Sequence, residues 1–146
     1  ERPVIKISFR KVTSKDTEIL YDLLKSRIHN ISHYELPSFS SHKKFVDSYP
    51  YRYWYLISEN DNVKGSFYIQ NDNSIGIDLQ NPSFLILKEI VNFINGKHII
   101  NNALPSQVPP YFFINVAKSN KEMLDMLEKI GCETIQVSLK INSSKK

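Results

Sequence analysis

The stretch from Ser74 to Gly96 reads SIGIDLQNPSFLILKEIVNFING, and it decides the fold. Ser74 to Leu79 alternates as a short strand. The chain then passes through Gln80-Asn81-Pro82-Ser83 into a helix with few polar residues. Asn81 is a good N-cap, Pro82 suits the first helical position, and Gly96 is a natural stop. Phe84, Leu87, Val91 and Ile94 form one apolar stripe, and Leu85, Ile86, Ile90 and Phe93 widen it around most of the helix. Such a helix is expected to be buried on more than one side. A strand that feeds a buried helix places helix-start amides at a sheet edge, where an anion can bind.

Working outward, Ile5 to Arg10 alternates as a first strand, and Thr13 with Asp16 reads as a capping pair before a helix from about Ser14 to Arg27. Ile28 to Pro37 reads as a loop. Ser38 caps a second helix, Phe39 to Ser48, which Tyr49-Pro50 ends. Tyr53–Ile57, Gly65–Ile69 and Ser74–Leu79 form an antiparallel meander, turned at Asn60-Asp61-Asn62 and Asn71-Asp72-Asn73. After the apolar helix, Lys97 to Pro110 is an irregular connection. Tyr111 to Val116 is a near-continuous apolar run, as expected of a strand covered on both faces, and this makes Asn115 a buried amide. Ser119 with Glu122 gives a capping box for a helix that Gly131 ends, and Thr134 to Ile141 alternates as a last strand. The order β-α-α-β-β-β-α-β-α-β predicts an α/β chain, with a mixed central sheet flanked by helices on both sides.

At 146 residues the chain is expected to form a single domain, with a loose tail over about 142–146. No apolar run reaches membrane-spanning length, and no signal-peptide pattern is read. The sequence opens on Glu1 instead of methionine, which leaves an upstream segment or a trimmed terminus open. Cys132 is the single cysteine, so an internal disulfide is excluded and a cytoplasmic location is expected. The formal charge of +4 reads as mildly basic. It suits an anionic small ligand better than nucleic acid, because no dense Lys/Arg stripe occurs.

The element order and several local matches resemble the GNAT superfamily, the acyl-CoA-dependent N-acyltransferases. Ile7 to Asp16 resembles the family's first strand and its step into the first helix. Asn120, then Met123-Leu124 and Leu127 to Cys132, resembles the common ending in which an Asn opens a helix closing as Tyr-Glu-Lys-X-Gly-Phe. Ile31 to His33, Ser38 to Val46, Tyr49 to Ile57 and Asn73 to Ile77 are similar to a bacterial subgroup with relatives that acetylate amino sugars. The resemblance implies an N-acetyltransferase that uses acetyl-CoA and a small-molecule amine. Amides of Ile77 and Leu79 would hold the pantetheine arm, and the helix start at Ser83 the pyrophosphate. Asn115 and Asn120 would reach the cofactor. Asp78, His42 and His33 are the candidates for the base, with Glu35 a lesser one; a homodimer is left open. The family's pyrophosphate loop carries glycines, whereas Gln80 to Phe84 has none and Pro82 lacks an N–H. Leu127 stands where the family often places a tyrosine acid. These departures favour the alternative, a catalytically inactive GNAT-fold module that binds a ligand or protein. No serine triad or metal-ligand spacing is read.

Overall fold

The computed structural model describes residues 4–26, 36–102 and 107–143. His33, Glu35 and most of the loop expected over Ile28–Pro37 lie outside these residues. The elements are β1 (Ile7–Lys11), α1 (Thr17–Lys25), α2 (Phe39–Ser48), β2 (Tyr53–Glu59), β3 (Asn62–Ile69), β4 (Ser74–Leu79), α3 (Phe84–Lys97), β5 (Phe113–Asn115) and α4 (Lys121–Ile130). A short 3-10 turn, Ser14–Asp16, leads into α1. The five strands form one sheet in the order β1-β2-β3-β4-β5. All neighbours are antiparallel except β4 and β5, which run parallel.

Strand side chains alternate between faces, so the sheet sorts its apolar residues into separate cores. Tyr55, Ile57, Phe67, Ile69 and Ile75 pack with Ile86, Ile90 and Ile94 of α3 on one face. Trp54 and Leu56 turn to the opposite face and meet Leu20 and Leu23 of α1 and Val46 of α2. Leu87 of α3 joins Met123 and Leu127 of α4 in a third cluster over Ile77, Leu79, Ile114 and Val116. The first and third clusters explain why α3 is apolar around most of its girth: it faces the sheet and α4 at once.

The ends of α3 differ from the local signals. Ser83, not Asn81, is the N-cap: its backbone is extended and its hydroxyl accepts from the Ile86 N–H at 3.3 Å. Pro82 therefore precedes the cap instead of opening the helix. Gly96 does not end the helix, which runs on to Lys97; Gly96 lacks the positive φ a glycine stop uses. Gly131 does, with φ 121, and its N–H reaches the carbonyls of Leu127 and Glu128 as α4 ends. At the start of α4 the cap is Asn120, whose side-chain oxygen accepts from the Met123 N–H at 3.3 Å, and not Ser119.

Two further expectations are overturned. Asn115 is exposed, because β5 is the sheet's edge strand and is covered on fewer sides than its apolar neighbours suggest. Thr134–Ile141 forms no strand: its alternating apolar residues face solvent, with Ile135 50% and Ile141 93% exposed.

The Thr13–Asp16 capping pair is present, and Asp16 also takes a two-pronged salt bridge from Arg10, at 2.9 and 3.0 Å. Asp16 is buried, yet the Arg10 hydrogen bonds hold its carboxyl below the usual carboxylate range, against the opposing pull of burial. A carboxyl whose folded pKa is depressed stabilises the fold fully above its unfolded pKa, about 3.9, and loses that contribution as pH falls through the folded value. Asp16→Asn is expected to cost about 1–3 kcal/mol at pH 7. Thermal melts should show the gap to the wild type closing as pH drops below about 4. A gap that stays constant down to acid pH would remove Asp16 from this role.

Candidate functional site

The feature that separates this sheet from a plain meander lies between β4 and β5. Their parallel pairing runs Ser74↔Phe113, Ile75↔Ile114, Gly76↔Asn115 and ends there, while β4 continues to Leu79. Among the described residues this leaves a gap in the pairing at the carboxyl end of β4. The Ser74 carbonyl accepts from Gln70, and the Gln80 N–H donates to Lys64. Residues 74, 76, 78 and 80 thus turn their main-chain groups toward β3, and the odd residues turn theirs toward β5. Beyond the last pair, the Ile77 carbonyl and both main-chain groups of Leu79 are left facing the gap.

One wall of the gap is apolar: Ile77, Leu79, Ile114 and Val116 packed on Leu87, Met123 and Leu127. Phe84, which could have filled it, is 42% exposed and takes no part in that cluster. A cavity of about 140 Å³ lies where β4 hands over to α3, on the side of that junction toward the ends of β2 and β3. Ser83, Gln80 and Asn81 line it together with Lys64, a cation, and Glu59, an anion. The positive end of α3 opens there, with the first main-chain N–H groups of the helix.

The other sheet face carries the polar groups. Gly76 lies opposite Tyr68, and a Cβ on Gly76 would collide with the Tyr68 ring. Glycine at this point lets the ring lie flat on the strand. Tyr51 stacks on Tyr68 at 3.8 Å, with the rings 6° from parallel. By strand alternation Asp78, half-buried, shares this face with Gly76, as does Asn115 paired across from it. The structure therefore brings Asp78 and Asn115 to one side of the gap, with Ile77 and Leu79 along its edge and Ser83 at its top.

The remaining candidates are placed apart. His42 is buried in the layer of α1 and α2, with its ring 5.1 Å from that of Tyr21. Burial pushes its pKa down, against a hydrogen bond with the Thr17 main chain. It is a packing residue, not a group at the gap. His33 lies outside the described residues. Asn120 is buried and spends its side-chain oxygen on capping α4. Cys132 is half-buried, and burial pushes its thiol up. Among the described residues no group of His, Cys, Asp and Glu could hold a metal ion.

Two features escape the sequence reading. The Tyr51–Tyr68 stack joins residues 17 apart, and only the paired strands reveal it. Asn73 reads as a turn residue, yet it is fully buried and ties three segments together. Its amide nitrogen donates to the carbonyls of Asn101, at 3.2 Å, and Pro109, at 2.9 Å; its oxygen accepts from the Asn101 N–H at 2.8 Å. Its own carbonyl receives the Phe113 N–H, where β5 begins. Asn73 thus sets where the β4–β5 pair begins, at the end opposite the one where the pairing stops.

No protein-family model matches the sequence. No curated protein matches it either. Solved structures do match in shape. The aminoglycoside acetyltransferase AAC(6')-Ib in complex with coenzyme A superposes with a TM-score of 0.58 at 18% identity, over 88% of this chain and 84% of that one. A spermidine N-acetyltransferase chimera, SpeG from Vibrio cholerae and hSSAT, gives 0.57 at 10% identity, over 86% and 79%. A domain from Methanocaldococcus jannaschii DSM 2661 gives 0.64 at 13% identity, over 92% and 93%. These likenesses agree on the mixed sheet with its flanking helices.

Proposed function

Starting from the premise that this chain has the GNAT fold, we propose that it is an N-acetyltransferase moving an acetyl group from acetyl-CoA to a primary amine of a small molecule. The single observation that carries this reading is the unpaired main-chain edge of β4 beside the start of α3. An extended arm with amide groups can continue the sheet there, using the Ile77 carbonyl and the Leu79 N–H and carbonyl. Ser83, the first N–H groups of α3 and Lys64 offer donors and positive charge to phosphate oxygens. Acetyl-CoA supplies the thioester whose carbonyl carbon the amine attacks, a C–N bond forming as the C–S bond breaks. Asp78 takes the ammonium proton, being the carboxylate on the polar face at the gap. The rest of the acceleration comes from holding the two reactants in line. The acceptor lies against the Tyr51–Tyr68 face, and an amino sugar is one amine whose ring suits it. The solved neighbours named for aminoglycosides and spermidine support an amine acceptor. Among the described residues no helix is long and apolar enough to cross a membrane. The lone Cys132 suits a cytoplasmic setting.

One set of observations favours a second reading, a GNAT-fold module without catalysis. Pro82 removes an N–H just before the helix, no glycine softens Gln80 to Phe84, and Leu127 is packed with Leu87 and Met123. Against it stands Phe84, which is 42% exposed and takes no part in the cluster over β4 and β5.

A thermal melt with added coenzyme A separates the two. A ligand at 100 times its Kd stabilises by about 2.7 kcal/mol, which for a chain of this size raises Tm by roughly 5–10 °C. The transferase reading expects a rise of this order with millimolar coenzyme A or acetyl-CoA. A flat response would leave only the non-catalytic module.

A further inference from the structure

The end of α3 away from the β4 gap gathers cations that no described side chain neutralises. Lys11, the last residue of β1, Arg52, just ahead of β2, and Lys97, in the last turn of α3, come from three separate segments and meet around the Tyr53 and His98 rings. The Lys11 Nζ lies 5.8 Å and the Arg52 guanidinium carbon 5.2 Å from the centre of the Tyr53 ring, and the His98 ring lies 4.2 Å from it. The Lys97 Nζ stands 5.3 Å from the Phe93 ring, whose centre is 5.9 Å from that of His98. No ion pair between described residues engages Lys11, Arg52 or Lys97. Burial, and after it the charges of Arg52, Lys97 and Lys11, push the His98 pKa below the ordinary histidine value, and no described carboxylate opposes them.

The negative pole of α3 accounts for part of this charge, since a helix C-terminus carries about half a negative charge and favours one nearby cation. Three cations exceed that. Two of the groups are also held in place. The Arg52 Nη2 donates to the Ile99 carbonyl at 2.7 Å, while its Nη1 is buried with no hydrogen-bond partner. His98 is held by the Tyr55 hydroxyl, 2.8 Å from its Nε2. A charged donor shielded from water without an acceptor is costly, and an anion's oxygens are the acceptors that fit a guanidinium best. We propose that Lys11, Arg52, Lys97 and His98 form an anion site of their own, one that takes the phosphate group of a small soluble molecule. The guanidinium meets two phosphate oxygens as a fork, and Lys11 and Lys97, both exposed, bring point charge to it on flexible stems. Tyr53 pairs through Ile69 with Ile75, near the start of β4, and α3 has 14 residues. The site therefore lies roughly 20 Å, the length of that helix, from the Ser83 end. It uses no residue of the β4 edge, so it does not rest on the transferase reading.

The probe is pyrophosphate, added to the full chain in about 150 mM sodium chloride so that loose surface attraction is screened. The readout is the NMR pH titration of the His98 ring. An anion bound beside an imidazole favours its charged form, so the His98 midpoint should rise by about 0.5 or more at saturation. The His42 midpoint should stay where it is, since that ring is buried against Tyr21 in the other helical layer. Lys11→Gln with Lys97→Gln should weaken pyrophosphate by roughly tenfold or more, with circular dichroism unchanged because both side chains are exposed. Arg52→Lys keeps the charge and loses the fork, and should weaken it as well. Lys64→Gln, at the start of α3, should leave the His98 response as in the wild type. Pyrophosphate that binds only at the Ser83 end leaves His98 unmoved, which overturns the proposal without touching the transferase reading. A His98 response that survives the Lys11/Lys97 variant or Arg52→Lys, that Lys64→Gln removes, or that sodium chloride of equal ionic strength reproduces also overturns it.

Discussion

Asn73→Leu is expected to destabilise the protein by about 3–5 kcal/mol, among the largest effects of any single substitution in this chain. The change removes three hydrogen bonds at once and leaves the Asn101 N–H and the Asn101 and Pro109 carbonyls without their partner. Each stranded buried group costs about 1–3 kcal/mol. Asn73 also has φ 72, in the left-handed region that Asn tolerates and a bulky apolar residue does not. Asn73→Gly isolates the two contributions. It keeps the backbone freedom and loses only the side-chain bonds, so urea unfolding should place it between the wild type and the leucine variant. A leucine variant within about 1 kcal/mol of the wild type would show that the hub does not hold these segments. Because the glycine variant keeps the residue-73 carbonyl that anchors the first residue of β5, it should retain the β4–β5 pairing.

Asp78→Asn should lower kcat by about 10²–10⁴-fold, the range that a positioned general base contributes. The substitution is nearly isosteric and keeps a polar side chain at a half-buried position opposite Ser66. Tm and the KM for acetyl-CoA are therefore expected to stay close to wild type, and the loss to fall on kcat. Steady-state assays on a panel of primary amines, with released thiol as the readout, measure this. A kcat within threefold or so of the wild type would transfer the proton-accepting role away from Asp78. A loss confined to KM would make it an acceptor-binding carboxylate instead.

Much of this architecture was legible because hydrophobic period is a local signal. The alternation at Tyr53 to Ile57 and Gly65 to Ile69 located β2 and β3, although both strands extend further, to Glu59 and back to Asn62. Those added residues pair through backbone and offer no apolar pattern to read. The mixed sheet followed from the element order and the family resemblance. The misread positions share a cause. Asn81-Pro82 and Gly96 are good local punctuation, but α3 starts and stops where its side chains and main chain satisfy its ends, one or two residues later. Asn115 looked buried because its neighbours are apolar, and only strand order shows that β5 is an edge. Asn73 and the Arg10–Asp16 pair depend on approach in space, and the Asn73 hub joins residues 28 and 36 positions apart. The edge proposed for the cofactor is main chain, so its determinants leave no residue signature. A loop can lose its glycines while the edge of β4 persists.

The aromatic layer over Gly76 also gives the protein a built-in optical probe. Trp54 is the only tryptophan, and it is buried. Its ring lies 4.9 Å from that of Tyr51, which in turn stacks on Tyr68. Phe45 and Tyr49 stand at 6.0 and 6.1 Å. Whatever settles against the Tyr51–Tyr68 pair perturbs the immediate surroundings of a single indole. The emission of an unlabelled sample thus reports occupancy of the polar face through an indole that sits on β2, two strands away from β4.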